Sequence, residues 1–411
     1  MRIAVIVILA FFALFDFFMK FLNYSNRNAP LPNNVKDVFD QEEYKKSKAY
    51  GAEGMRFGMF SGIITSAISI SILAANLHSR FFYFAAENIT SNYYLQFFFM
   101  FVVIWFIEMP VSAILGAIDT FVIEEKYGFN KTKPITYIVD IFKNGLLSGV
   151  LFLGLLSAFV ALHNALGNMV FIAFFFVLVA FVFLLLFSSI LQLRLFYKFT
   201  PLEEGSLRTR AEELATKIGF PIKRILVLDA SKRSTKSNAF FTGLGRTKTI
   251  GLFDTLLENF TEDEILAILA HEMGHAKEKH GVKRVGLMIL SFIAVLAIAF
   301  FVVNYDGASL AFGFTAANDA FAMFITVILV TPFMVIMGIP SSALSRKHEH
   351  EADAYEVKYV GREAAISAIK KLYAKDYGNL TPHPFVVLTS YSHPTLSQRI
   401  SAMESNPPMR T

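Results

Sequence analysis

Seven stretches of this chain are apolar over enough residues to cross ~30 Å of hydrocarbon at ~1.5 Å of helix rise per residue. They cover residues 3–22, 57–77, 97–118, 145–162, 170–191, 285–303 and 320–339. A soluble core rarely needs so many uniform runs, and the composition agrees, with 55% hydrophobic residues, 45 phenylalanines and only 17% charged residues. The expected fold is mainly α: seven α-helical spans embedded in a lipid bilayer. The first run reads as a span and not a cleaved leader, because Asp16 interrupts it, it is long, and no small-x-small cleavage site follows.

Positive charge alternates between the connections. Six Lys/Arg lie between runs one and two, one (Arg80) between two and three, and four between three and four; the connections after runs four and six have none. Sixteen lie from Arg194 to Arg284 and nine after run seven. By the positive-inside rule this predicts an N-terminus outside or in a lumen and a cytoplasmic C-terminus; a bacterial inner membrane and the endoplasmic reticulum are the two membranes expected for such a chain. The net charge of +5 is thereby accounted for without a nucleic-acid partner. There is no cysteine, which excludes thiolate ligands, disulfides and a cysteine nucleophile.

The expected organisation is a five-span membrane region (1–191), a folded segment (192–284), a two-span hairpin (285–340) and a second folded segment (341–411). A hairpin that crosses twice returns the chain to the side it left, so the two folded segments can build one small cytoplasmic α+β domain. Residues 205–221 read as a helix stopped by Gly219 and Pro221, and 224–230 as a strand. Residues 238–242 and 247–252 read as short strands around a Gly-Leu-Gly-Arg turn, and "NRNAPLPNN", residues 26–34, as an ordinary loop.

Chemistry concentrates in "ILAHEMGHAKEKHG", residues 268–281. Thr261 and Glu264 have capping-box spacing ahead of it, so the motif sits on a helix. His271 and His275, four apart, share one helical face and can reach one metal ion. Zinc takes imidazole nitrogen at ~2.0–2.1 Å, and Glu272 falls beside it, placed to take a proton from an activated water. His280 is a poor third ligand, five residues past His275 on another face. The segment "SRKHEHEADAYEVKYVG", residues 345–361, returns to the correct side with several acids and histidines. Glu349 and Asp353, four apart, can act as ligand and as support for a ligating histidine, with Glu351, His348 and His350 as rivals.

HExxH followed some seventy residues later by Glu-x-x-Ala-Asp, within this pattern of spans, resembles the type I CAAX prenyl protease family of integral-membrane zinc metalloproteases. "TFVIEEKYGFNK" (120–131), "SKRSTKSNAFFTGLG" (231–245) and "SHPTLSQRI" (392–400) resemble further stretches of that family, so the likeness covers most of the chain. It implies one zinc per chain held by His271, His275 and Glu349, with Glu272 as general base and Asp353 supporting the ligands. His393 and Arg399 then belong to a His-Pro segment near the zinc, with His393 steadying an oxyanion. Asn238, Ala239 and Phe240 open a strand that binds substrate. The implied partner is a peptide or protein prenylated at its C-terminus, and the spans are expected to surround an internal chamber. The histidines at 348 and 350 and the acid at 351 depart from the family pattern and leave a second metal contact open.

Asp16, Glu108 and Asp119 lie in or near apolar runs, where a charge costs at least ~2.5–3.5 kcal/mol unless it meets water or a partner. Three rival readings stand beside the prenyl protease. A quality-control metalloprotease would use the same chemistry without a prenyl requirement. A zinc transporter or scaffold would not hydrolyse. An intramembrane protease is disfavoured, because Glu262, Asp263, Glu264, Lys277, Glu278 and Lys279 bracket the motif with charge.

Overall fold

The apolar runs fold as helices in the computed structural model, which describes residues 1–220, 222–242 and 249–405. The helices are α1 (Arg2–Ser25), α2 (Gln41–Ala74), α3 (Leu77–Asn88), α4 (Tyr93–Ile118), α5 (Pro134–Leu166), α6 (Val170–Leu193), α7 (Ser206–Ile218), α8 (Asp254–Asn259), α9 (Glu262–Lys277), α10 (His280–Val303), α11 (Gly307–Leu310), α12 (Asp319–Tyr359), α13 (Arg362–Lys375), α14 (Pro384–Ser390) and α15 (Leu396–Ser405). Among the described residues, six helical segments are long and apolar enough to cross a membrane, where seven spans were expected. The difference lies in the fourth segment, Pro134–Leu186, which joins the fourth and fifth runs. It holds two helices, α5 and α6, separated by a short 3-10 turn that starts at Gly167, whose φ of 53° favours glycine.

Several of these helices outrun their apolar stretches. The helix α2 starts sixteen residues before run two, and α12 continues twenty residues past run seven. Hydrophobicity marks only where lipid could lie, whereas a helix continues until a cap or breaker stops it. Asn318 caps α12 by accepting from the Phe321 N–H at 2.9 Å. The 41 residues that follow span up to about 60 Å, and they carry residues 345–359 out of the apolar region on the same helix, through internal prolines at 332 and 340.

Phe97, Met100, Phe159 and Phe321 are fully buried where α4, α5 and α12 meet. Phe11, Phe176 and Ile336 point outward, a placement that suits lipid. Two of the intramembrane acids have partners: Lys20 donates to Asp16 at 2.5 Å and to the Gly58 carbonyl at 3.2 Å, and Ser69 donates to Glu108 at 2.9 Å.

The folded segments build a four-stranded sheet of β1 (Phe199–Pro201), β2 (Arg224–Leu228), β3 (Ala239–Thr242) and β4 (Thr249–Phe253). The order is β1-β2-β4-β3, with β2 and β4 parallel and the other pairs antiparallel, so β3 is an edge strand. The helix α7 buries Ala211, Leu214, Ala215 and Ile218, a stripe at helical spacing, and Gly219 ends it with a φ of 70°. These residues share a core with Ile250 and Leu252 of β4 and Ile265, Leu269 and Met273 of α9. Pro221, the expected Gly-Leu-Gly-Arg turn and residues 247 and 248 lie outside the described residues.

The stretch 26–34 is more than an ordinary loop. It contains two 3-10 turns, Asn26–Asn28 and Asn33–Val35, and Asn34 donates to the Ser397 carbonyl of α15 at 3.0 Å. Val35 packs with Leu396 and Ile400, so this N-terminal connection belongs to the core under the C-terminal helices. The likeness-bearing stretches 120–131 and 231–245 also meet, through a bridge between Asn130 and Ser234 and an ion pair from Lys236 to Glu124 at 3.2 Å.

Candidate metal centre and active site

A full capping box starts α9: Glu264 N–H donates to the Thr261 hydroxyl at 3.3 Å, and Thr261 N–H donates to the Glu264 carboxylate at 2.8 Å. Three turns on, His271 and His275 present their Nε2 atoms to each other at 3.0 Å. Glu349 comes from α12, which runs close beside α9 because position 274 is glycine. A Cβ there would lie 3.0 Å from the Tyr355 ring.

Glu349 is buried, and its carboxylate oxygens lie 3.3 Å from His271 Nε2 and 3.3 Å from His275 Nε2. Oxygen Oε2 has no hydrogen-bond partner. Two imidazole nitrogens 3.0 Å apart, each 3.3 Å from one oxygen of the same carboxylate, come near the ligand separations of a tetrahedral ion with ~2.0–2.1 Å bonds, so the His, His, Glu set fits zinc. Burial opposes protonation of His271, yet the carboxylates of Asp353, Glu349 and Glu356 outweigh it and hold the imidazole pKa well above its usual range. The pocket favours positive charge at this point. Burial pushes the His275 pKa down, which leaves a neutral imidazole with a lone pair to offer.

Behind the trio, His271 Nδ1 lies 2.8 Å from Glu356 Oε1 and 3.1 Å from Asp353 Oδ1. Arg399 of α15 donates from Nε to Asp353 Oδ2 at 2.9 Å. Burial works against the Arg399 charge, but Asp353, Glu356 and Glu349 more than offset it, so the guanidinium stays protonated. Sequence spacing pointed to Asp353 and passed over Glu356, although Glu356 follows Glu349 by seven residues and so returns to the same helical face. His280 lies outside the trio but not away from it: α9 ends at Lys277, Lys279 turns with a φ of 57°, and the His280 ring folds back onto His275. The rival residues His348 and Glu351 sit beside His280, away from the trio.

A cavity of about 160 Å³ opens at the trio, lined by Asn238, Ala239, Glu272, Glu349, His393 and Arg399 among others. Burial, reinforced by the charges of Glu349 and Glu356, pushes the Glu272 carboxyl up from 4.5 to about 7. His393 is exposed to this space, with Nε2 3.5 Å from Glu349 Oε1 and Nδ1 2.9 Å from the Ser392 hydroxyl. Asn238 is exposed at the start of the edge strand, and its carbonyl accepts from the Phe253 N–H at 3.0 Å. Phe240 is not part of the cavity wall; its ring lies across Gly251 on the neighbouring strand, where a Cβ would meet it at 2.4 Å.

Known proteins resemble this chain in sequence and fold. The family model "Peptidase family M48" matches residues 201–406, and "CAAX prenyl protease N-terminal, five membrane helices" matches residues 20–198. The chain is 38% identical over 309 residues to the "Probable CAAX prenyl protease 1" of Schizosaccharomyces pombe, an alignment covering 70% of this chain and 61% of that one. It is 29% identical to the "CAAX prenyl protease 1" of Saccharomyces cerevisiae, covering 95% and 92%. The crystal structure of S. mikatae Ste24p superposes with a TM-score of 0.91 at 27% identity, covering 98% of this chain and 99% of that one. The chain therefore belongs to peptidase family M48 and is a multi-pass membrane metalloprotease with the N-terminal membrane helices of the CAAX prenyl proteases.

Proposed function

We propose that this protein is a zinc endopeptidase that cleaves prenylated CAAX substrates near their C-terminus, with one zinc per chain held by His271, His275 and Glu349. The observation that carries the reading is the convergence of these three donors, with His271, Glu349 and Glu272 lining a cavity that Asn238 and Ala239 at the start of the edge strand also border. When bound, zinc supplies Lewis-acid polarisation of a carbonyl and acidifies water.

The chain's own residues do the rest. Glu272, as carboxylate, takes the proton of the attacking water and passes it to the leaving amine. His393 donates to the oxyanion that develops on the scissile carbonyl. Asp353 holds His271 in register and is itself held by Arg399. The edge strand that starts at Asn238, Ala239 and Phe240 pairs its backbone with an extended peptide, leaving side-chain selection to the cavity.

The site is cytoplasmic in this reading, with the N-terminus outside or in a lumen. Support comes from the Lys/Arg asymmetry and from seven crossings, the fourth apolar segment crossing twice at its Gly167 turn. The active domain is assembled from residues 192–284 and 341–411, delivered by the five-span region 1–191 and the hairpin 285–340. The test is mass-spectrometric mapping of cleavage of matched farnesylated and unprenylated CAAX peptides by the protein in nanodiscs. Cleavage of the farnesylated peptide alone, lost in Glu272→Gln, supports the reading. Equal cleavage of both favours quality-control proteolysis, and no cleavage despite bound zinc favours transport or scaffolding.

A further inference from the structure

A second group of ligand-type side chains, His280, His348 and Glu351, lies beside the trio with nitrogen and oxygen atoms within 4.8 Å of one another. It does not converge on one ion. An imidazole holds a metal in its own ring plane, and the His280 and His348 rings are stacked, with centroids 3.9 Å apart and 11° between planes. Their lone pairs run side by side and never meet.

The contacts of His280 point elsewhere. Its Nδ1 lies 2.9 Å from His275 Nδ1, and its Nε2 lies 2.8 Å from Glu351 Oε2. We propose that His280 is a positioning residue in a chain Glu351–His280–His275 that fixes which nitrogen of His275 is free to bind metal; this rests on the zinc reading above. A neutral imidazole has one N–H and one lone pair. Glu351, as a carboxylate, only accepts, so the His280 proton sits on Nε2 and its Nδ1 lone pair faces His275. His275 must then carry its proton on Nδ1, which turns the Nε2 lone pair towards His271 and Glu349. The opposite polarity would place an N–H in the metal pocket.

His271 reaches its carboxylates Glu356 and Asp353 directly, whereas His275 reaches Glu351 through a second ring. The left-handed turn at Lys279 makes this possible by breaking α9 from α10. His348, only 1% exposed, covers the His280 face and keeps water from competing for the chain.

The test measures zinc affinity of the full chain in detergent by chelator competition, together with the visible spectrum of the Co(II)-loaded protein. His280→Ala and Glu351→Ala are expected to bind zinc about 10–100-fold more weakly and to shift the cobalt bands. His280→Gln, whose amide can accept from His275 and donate to Glu351, should recover part of the loss. Glu351 is partly exposed, so its variant tests the chain even if His280→Ala fails to fold. His271→Ala is the reference for the trio. If it abolishes binding while folded Glu351→Ala, and His280→Ala where that variant folds, retain wild-type affinity and spectrum, the relay is overturned and the zinc site stands. If His271→Ala binds zinc as wild type does, the zinc site itself fails.

Discussion

Arg399 holds Asp353 through Nε at 2.9 Å, in a buried pocket where Asp353 also faces His271 Nδ1 at 3.1 Å. This pair links α15, near the end of the chain, to the histidine of α9. Removing one member takes away the main charge partner of the other in a buried site, leaving Asp353 only His271 and Arg399 only the more distant Glu349 and Glu356, at a cost of up to about 3–5 kcal/mol. Arg399→Ala should lower the thermal unfolding temperature in detergent and weaken zinc retention. Arg399→Lys should not restore either, because an ammonium cannot grip a carboxylate from two nitrogens. The double variant Asp353→Ala/Arg399→Ala should lose less stability than the two single losses added together.

Glu272 works as a base only when ionised. Burial and neighbouring carboxylates raise its pKa to about 7, and a bound cation pulls it back towards 4.5, so the acid limb of kcat/KM lies between these values. Activity should therefore fall as pH drops through that window, because the proton removes the base. Glu272→Gln should lower kcat by about 10²–10⁴-fold above that window and lose the acid limb, the two proteins converging as the wild-type carboxylate protonates. Metal content measured on the same sample should be unchanged.

His393 points its Nε2 into the cavity from outside the buried cluster. Loss of an oxyanion donor costs about 10²–10³-fold in kcat. His393→Ala is expected to show that loss with little change in KM and no change in zinc affinity. A raised KM with normal kcat would assign it to substrate binding instead.

Gly274 sets the distance between the two helices that share the metal. Alanine would gain about 1 kcal/mol in helix propensity, but its Cβ would press on the Tyr355 ring from 3.0 Å. That ring cannot easily move, because its hydroxyl donates to Glu278 at 2.6 Å. Overpacking of this kind costs about 1–3 kcal/mol. Gly274→Ala should therefore be destabilising on balance and reduce zinc affinity, as read by thermal unfolding and chelator competition.

The membrane helices and the pairing of His271 with His275 were legible in the sequence for the same reason: each obeys a short-range period. Apolar runs report lipid directly, and residues four apart on a helix meet whatever the rest of the chain does. Glu349 needed more, since three rivals lie within two residues of it and the choice among them depends on how α12 rotates against α9. Contacts made through irregular backbone were not legible. The turn at Lys279 that returns His280 to His275 involves a non-glycine residue with positive φ, which no local rule flags. The three-residue strand β1 contains a proline and shows no alternation, and the packing of Val35 on α15 joins residues more than 350 positions apart. The apolar runs stop short of the helices at the start of α2 and the end of α12, because hydropathy does not mark a helix end: α2 reaches back to Asp40, which caps it by accepting from the Glu43 N–H at 2.7 Å.

The central claim is that one zinc at His271, His275 and Glu349 supports peptide hydrolysis. The most direct test strips the purified protein with a chelator, then follows cleavage of a farnesylated CAAX peptide as zinc is returned. The account predicts that stripping abolishes cleavage, that activity returns in full with the first equivalent of zinc, and that Glu349→Ala never recovers. Undiminished cleavage by the stripped protein, or full recovery by Glu349→Ala, would contradict it.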